Sequence, residues 1–447
     1  MIESVLVANR GEIARRVIRA CRGLGVRSVA VYSEADRRWP YVAEADEAVA
    51  IGPASPRESY LNVERILEAA RRTSAEAVHP GYGFLSENWR FARACEEAGL
   101  VFVGPPWPVM ATMGDKIEAR RRMVAAGVPV VPGSEGAVES LEAARTAAAR
   151  VGYPIMLKAT AGGGGIGMVR VAEDGGLAAA FATAQRRAEA AFGSGAVFVE
   201  RYLDRPRHVE VQVFGDAHGG LVHMHERECS IQRRHQKLVE ESPAPGMAPD
   251  LKRRLTEAAV SGARAVGYRN AGTMEFIVSG GEFYFLEMNT RLQVEHPVTE
   301  EVTGRDLVAA QLRVASGEPL PWRQEEIVQQ GHALECRIYA EDPARNFMPS
   351  PGTITRLVLP EGPGLRLDCG VAEGVEVSVH YDPLLAKLIA WGATRSEAID
   401  RMASALDGLV VEGVRTVVPF HRRVLASTLF RAGQIHTQMA EQGAFDA

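Results

Sequence analysis

Cysteine is scarce in this 447-residue chain. The five residues, Cys21, Cys95, Cys229, Cys336 and Cys369, are far apart and none forms a C-x-x-C pair. That argues against a disulfide framework or a cysteine zinc site and suits a reducing, cytoplasmic setting. Basic charge is not in excess: 51 Lys and Arg stand against 56 Asp and Glu, so no nucleic-acid partner is expected. The run Arg120-Arg121-Arg122 reads as a solvated helix face. No apolar run approaches the ~18 residues of a membrane span. The first residues, Met1-Ile2-Glu3-Ser4, have no basic region followed by an apolar one, so no secretory leader is expected. Two nucleotide fingerprints are missing as well. The first βα turn is Asn9-Arg10-Gly11-Glu12 rather than G-x-G-x-x-G, and no G-x-x-x-x-G-K-[ST] occurs.

What is present is ample core material, with 46% hydrophobic residues, and a length that suggests roughly three domains of ~150 residues. Residues 1–113 alternate short apolar strands (4–8, 28–32) with a helical pattern (12–24), which predicts a doubly wound parallel α/β sheet. A third unit ends in His79-Pro80-Gly81-Tyr82-Gly83, glycines placed where a strand should stop and a ligand crevice should open. Gly104-Pro105-Pro106-Trp107-Pro108 marks a boundary, after which Asp115-Lys116 opens a helix. Residues 130–203 read as helix, strand, glycine loop, strand, helix and strand. Residues 205–300 look strand-rich, 319–330 look like a polar linker, and 331–440 alternate strands and helices. The expected class is a multidomain α/β and α+β protein with units at 1–113, 114–318 and 331–440.

Four constellations carry chemistry. Lys158 precedes a run with glycine at 162–165 and 167; a glycine backbone can turn its N–H groups toward phosphate oxygens, and the lysine supplies counter-charge. The strand Val197-Phe198-Val199-Glu200 bends into Arg201-Tyr202-Leu203 and could offer Glu200 and backbone groups to an adenine edge. Gln232-Arg233-Arg234-His235-Gln236-Lys237 groups four basic or imidazole side chains in five positions and reads as an anion site. Finally, Glu275 lies upstream of Glu287-Met288-Asn289-Thr290-Arg291-Leu292-Gln293-Val294-Glu295-His296, with Gly280-Gly281 as a hairpin turn between. A strict two-residue loop sets Glu275 against Leu286; one extra loop residue or a bulge sets it against Glu287, on one face with Asn289. Such oxygen ligands suit Mg²⁺ or Mn²⁺.

A lysine–glycine loop, a hinge strand and a Glu–Glu–Asn site, in that order, resemble the ATP-grasp superfamily. Closer matches are Ala8–Ala14, His79–Asn88, Gln232–Lys237, Glu287–Pro297, Glu335-Cys336-Arg337-Ile338 and Tyr381–Leu388. Together they resemble biotin carboxylase over essentially the whole chain. The resemblance implies an ATP-grasp centre with a mobile glycine-rich lid over about 130–203. It implies that Lys116, Lys158, Glu200, Arg201, Tyr202, Leu203, His208, Gln232 and His235 hold ATP, with Gly164 and Gly165 over its phosphates. Glu275, Glu287 and Asn289 would hold the metal. Lys237, Arg291, Gln293, Val294 and Glu295 would hold bicarbonate, with Glu295 as base. Arg337, Tyr82 and Gly83 would face biotin. The implied reaction is carboxylation of biotin through carboxyphosphate, the first half of an acetyl-CoA or other acyl-CoA carboxylase. No Met-Lys-Met biotinylation motif occurs, so a carrier protein and a carboxyltransferase are expected on separate chains, and a homodimer is expected from the family. Two departures stand out: Ile166 where relatives carry Arg or Lys, and Val417 where Asn is common.

Overall fold

The computed structural model describes residues 1–159, 168–192 and 195–446. Gly164, Gly165 and Ile166 therefore lie outside the described residues. The N-terminal unit is a five-stranded parallel sheet in the order Glu47–Gly52, Arg27–Ser33, Ser4–Val7, Ala77–His79, Val101–Phe102. Val5, Leu6 and Val7 are all buried, as a strand covered on both faces requires. Helix Gly11–Leu24 packs Ile13, Ala14, Val17, Ile18 and Cys21 inward at helical spacing and stops at Gly25, whose φ of 69° is left-handed. The strand order reverses beside Ser4–Val7 and Ala77–His79, the place where open α/β sheets offer a ligand crevice at their carboxyl ends. There the Asn9 amide donates to the carbonyls of Pro80 and Tyr82, both at 2.7 Å, and so seats Tyr82 at the switch point.

The proline-rich boundary holds a helix of its own, Trp107–Gly114, because proline is tolerated in a first helical turn. Helix Lys116–Ala125 follows, capped by the Asp115 carboxylate on the N–H groups of Ile117 and Glu118. Beyond it a three-stranded antiparallel sheet, Val169–Val171, Ile155–Ala159 and Val197–Arg201, carries helices Leu141–Val151 and Leu177–Phe192 around a separate core that includes Ile155, Leu157, Val197 and Val199.

An eight-stranded sheet dominates the rest. Its order is Glu282–Asn289, Asn270–Ser279, Arg207–Gly215, Leu221–Arg233, Gln236–Ser242, His332–Tyr339, Leu384–Gly392 and Leu365–Cys369, antiparallel throughout. Strands from both sides of 319–330 thus share one sheet. The polar segment between them is fastened rather than loose. Trp322 meets Phe214 edge-on, Leu320 N–H donates to Asp216 at 2.7 Å, and Ile327 is buried. Within the strand-rich stretch lies helix Pro249–Ala265, which buries Leu255, Ala259 and Ala263 against Val209, Val211 and Phe276. No helix among the described residues is long and apolar enough to cross a membrane.

Candidate active site

The hairpin Asn270–Ser279/Glu282–Asn289 turns at Gly280-Gly281 through a strict two-residue loop, with Ser279 opposite Glu282. Phe276 pairs with Phe285, yet Glu275 pairs with Glu287. Leu286 is the extra residue, a bulge that is 42% exposed. The bulge brings Glu287 opposite Glu275 and Asn289 opposite Thr273. Of the two registers open to the sequence, the structure adopts the one that opposes the acids. Burial, and then the negative charge of Glu275, push the Glu287 carboxyl up. Two opposed carboxylates are oxygen donors of the kind a hard divalent cation takes, and a cation between them would relieve that repulsion; Asn289 turns its amide nitrogen to Glu275 and its oxygen to Arg291.

Beside this set stands Lys237. Its side chain is half-buried, and the ammonium lies 2.6 Å from Glu210, 2.8 Å from Glu275 and 2.7 Å from Glu295. Arg337, on strand His332–Tyr339, reaches the other oxygen of Glu295 at 2.8 Å, Glu240 at 2.5 Å and the Tyr339 hydroxyl at 3.2 Å. Both oxygens of Glu295 are therefore held by cations. Burial alone would raise its pKa, but Lys237, then Arg337 and Arg227, hold it well below the usual carboxylate range. Glu240 behaves oppositely: burial outweighs Arg337 and pushes it up to about 7. Glu275 accepts from Asn289 at 2.8 Å and Gln293 at 2.9 Å, and its second oxygen lies 3.0 Å from His208. Gln232 sits 3.2 Å from the other ring nitrogen of His208. Arg291 donates to Asn289 at 2.9 Å and pairs with Glu87 of the N-terminal unit at 3.0 Å.

The remaining candidates lie elsewhere. Lys158 and Glu200 pair with each other at 2.6 Å on the three-stranded sheet, and Arg201 donates to the Val151 carbonyl. Tyr202 lies beneath the Arg170 guanidinium, and Leu203 is half-buried. Lys116 opens its helix near enough to Glu287 to oppose that carboxyl's rise. The basic run 233–237 does not converge. Arg234 and His235 form a left-handed turn, Arg233 leaves toward Asn346 and Phe347, and only Lys237 enters the acid cluster. Val294 is half-buried beside Glu295, and Gly83, at φ 69°, is exposed. His296 is buried; its Nδ1 donates to the Gln293 carbonyl at 2.7 Å, which makes it a turn lock. Cys229 is buried and its thiol is pushed well up by burial, so it has no thiolate character.

Three family descriptions match the chain in succession: "Biotin carboxylase, N-terminal domain" over residues 1–110, "Carbamoyl-phosphate synthase L chain, ATP binding domain" over 115–323, and "Biotin carboxylase C-terminal domain" over 335–442. Biotin carboxylase 2 of Bacillus subtilis is 51% identical over 443 residues, covering 99% of this chain and 100% of that protein. The chain belongs to the biotin carboxylase family. Biotin carboxylase of Halalkalibacterium halodurans is 53% identical over 438 residues, 98% of this chain and 97% of that one. The biotin carboxylase domain dimer of Hydrogenobacter thermophilus 2-oxoglutarate carboxylase, solved with MgADP, ADP and bicarbonate, superposes with a TM-score of 0.92 at 46% identity, covering 100% and 99% of the two chains. As a biotin carboxylase the protein is an ATP-grasp ligase, and its parallel sheet, large antiparallel sheet and mixed C-terminal unit are those of the family.

Sequence reasoning missed the frame of this biotin carboxylase site. Arg227 is fully buried, and its guanidinium donates to Glu210 at 2.5 Å, Gln212 at 2.9 Å, Thr299 and Thr273 at 3.1 Å, and Gln293 at 3.2 Å. All five of its donors are satisfied. Glu210 and Glu240 complete the frame. The one sequence signal is at Glu210, a charge alternating with Val209, Val211 and Val213, where burial demands a partner; Glu240 stands beside Glu241 in the polar strand Gln236–Ser242 and gives none.

Proposed function

We propose that this chain uses MgATP and bicarbonate to carboxylate biotin borne on a separate carrier protein, giving N-carboxybiotin, ADP and phosphate. The observation that carries this is the clamp on Glu295, with Lys237 on one oxygen and Arg337 on the other, beside the opposed Glu275 and Glu287. Glu275, Glu287 and Asn289 would hold Mg²⁺ or Mn²⁺, which when bound neutralises charge on phosphate oxygens. Lys116, Lys158, Glu200, Arg201, Tyr202, Leu203, His208, Gln232 and His235 would contact ATP.

Lys237, Arg291, Gln293 and Val294 would receive bicarbonate. As the anion draws Lys237 and Arg291 to itself, Glu295 loses part of the cationic hold that keeps its pKa low. It then becomes basic enough to take the bicarbonate proton as the oxygen attacks the γ-phosphorus. Carboxyphosphate releases CO₂ and phosphate, that phosphate accepts the ureido N–H proton of biotin, and the nitrogen so freed forms the N–C bond to CO₂. Arg337 stabilises the charge that develops on the ureido oxygen, with Tyr82 and Gly83 alongside.

The carboxyl acceptor would be chosen by a carboxyltransferase on another chain, serving an acyl-CoA or a 2-oxo acid, and the enzyme would act as a homodimer. Purified protein should hydrolyse ATP only with bicarbonate and biotin present and should incorporate ¹³C-bicarbonate into biotin. ATP hydrolysis indifferent to biotin, or stimulated instead by ammonia, would overturn this reading.

A further inference from the structure

Two motifs have no role in that chemistry: Ala8–Ala14 in the N-terminal unit and Tyr381–Leu388 in the C-terminal unit. They meet where Arg10 lies over the Tyr381 ring at 4.5 Å and at one ion pair. Lys387, on strand Leu384–Gly392, is fully buried, and its ammonium lies 3.2 Å from Glu12, in the first turn of helix Gly11–Leu24. Asp368, its cross-strand neighbour, is 3.9 Å away. The Tyr82 ring centroid lies 5.8 Å off. Neither oxygen of Glu12 has a hydrogen-bond partner of good geometry among the described residues, so Lys387 is its compensating charge. Isolated ammonium groups are costly to bury, and such a lysine persists where its position matters.

The ammonium also does something a purely structural pair would not. It donates to the carbonyl of Val294 at 2.8 Å. A peptide is planar and trans, so pinning the Val294 carbonyl fixes the direction of the Glu295 N–H on the opposite side and the root of the Glu295 side chain. That carboxylate is the one clamped between Lys237 and Arg337. Arg337 is moreover the cross-strand neighbour of Lys387 on its other side.

We propose that Lys387 is a positioning residue for carboxylation. Anchored by Glu12 and Asp368, it sets the Val294–Glu295 peptide and thereby the bicarbonate side of the site, so that the N-terminal, central and C-terminal units must be assembled before that side is formed. This inference rests on the function proposed above. The titratable groups facing Lys387 are Glu12, Asp368, Glu335, whose carboxyl burial pushes up, and His296, whose imidazole burial keeps neutral.

The test uses the full chain with free biotin. Lys387→Met removes the donor but leaves Glu12 buried without its cation, so Glu12→Gln/Lys387→Met is made beside it to neutralise both partners. The expected result, in whichever variant retains a cooperative melting transition, is a bicarbonate KM raised about tenfold or more with the ATP KM changed less than about twofold, the signature of one lost charged hydrogen bond on one side of the site. Glu12→Gln alone, which keeps the Lys387 donor, should shift bicarbonate KM less. A folded variant whose bicarbonate KM is unchanged, or which loses only kcat and melting temperature, overturns the assignment, as does collapse of both variants. A parent enzyme with no bicarbonate dependence overturns the proposed function and this inference together, whereas a dependent parent with an unaffected variant overturns this inference alone.

Discussion

Lys237 carries one positive charge and touches three carboxylates. Its removal leaves Glu210, Glu275 and Glu295 short of a cation in the interior. Lys237→Ala should therefore cost about 3–5 kcal/mol of stability as well as bicarbonate use, read by urea unfolding beside steady-state kinetics. Unchanged stability would mean that water replaces the ammonium. Glu295→Gln keeps shape and ATP contacts but removes the acceptor; nucleotide binding should persist in titration calorimetry while bicarbonate-dependent turnover falls at least ~100-fold. Near-parental rates would remove Glu295 as the base. Glu300 offers a pH test away from the chemistry. Arg16 and Arg366 each lie 2.8 Å from it, and although burial opposes them, they hold its carboxyl down to about 2. The folded value is below the ordinary 4.5, so the stabilisation is present above that pH and is lost as pH falls toward about 2. The stability gap between the parent and Glu300→Gln should narrow below about pH 4, and a gap that widens there would contradict the assignment.

At the scale of elements, one bulged residue decides whether Glu275 and Glu287 oppose each other. Alternation along the hairpin was legible in the sequence, but the register was not, because a bulge costs little where its extra residue, Leu286, faces solvent. The helix Lys116–Ala125 makes a separate case. Its Asp115 cap immediately precedes Lys116, so Asp115→Ala should cost about 1 kcal/mol and raise the ATP KM, with Asp115→Asn restoring both. A thermal melt with ATP kinetics decides it; an unaffected KM would separate the cap from nucleotide binding. Helix Val418–Ala426 shows the reverse. Val417 stands at its N-cap with no side-chain bond, at the position where the sequence departs from the common Asn.

Across the whole molecule, the eight-stranded sheet joins what the sequence separates. Strand Gln236–Ser242 pairs with His332–Tyr339, which brings Arg337 to Glu240 and Glu295. A fragment of residues 114–318 would expose that strand edge with Glu240 unpartnered. It should lack the protected amide core that hydrogen exchange finds in the full chain, and a fragment with native protection there would show the sheet to be divisible.

From the order of residues alone came the α/β opening, the Glu275–Glu287–Asn289 and 291–295 segments, and the resemblance they support. These depend on local periodicity, turn chemistry and short motifs, all of which lie within a few residues of one another. The buried cations Arg227 and Lys387, the acids Glu210 and Glu240, the fastening of 319–330 and the choice of hairpin register emerged only on folding. Each depends on which groups from distant strands lose water together, and a buried charge declares its role only when its partner is in place. The Lys237 run reads in one dimension as an anion site; in three, the sheet turns one of its four basic or imidazole side chains inward, and that one meets Glu295.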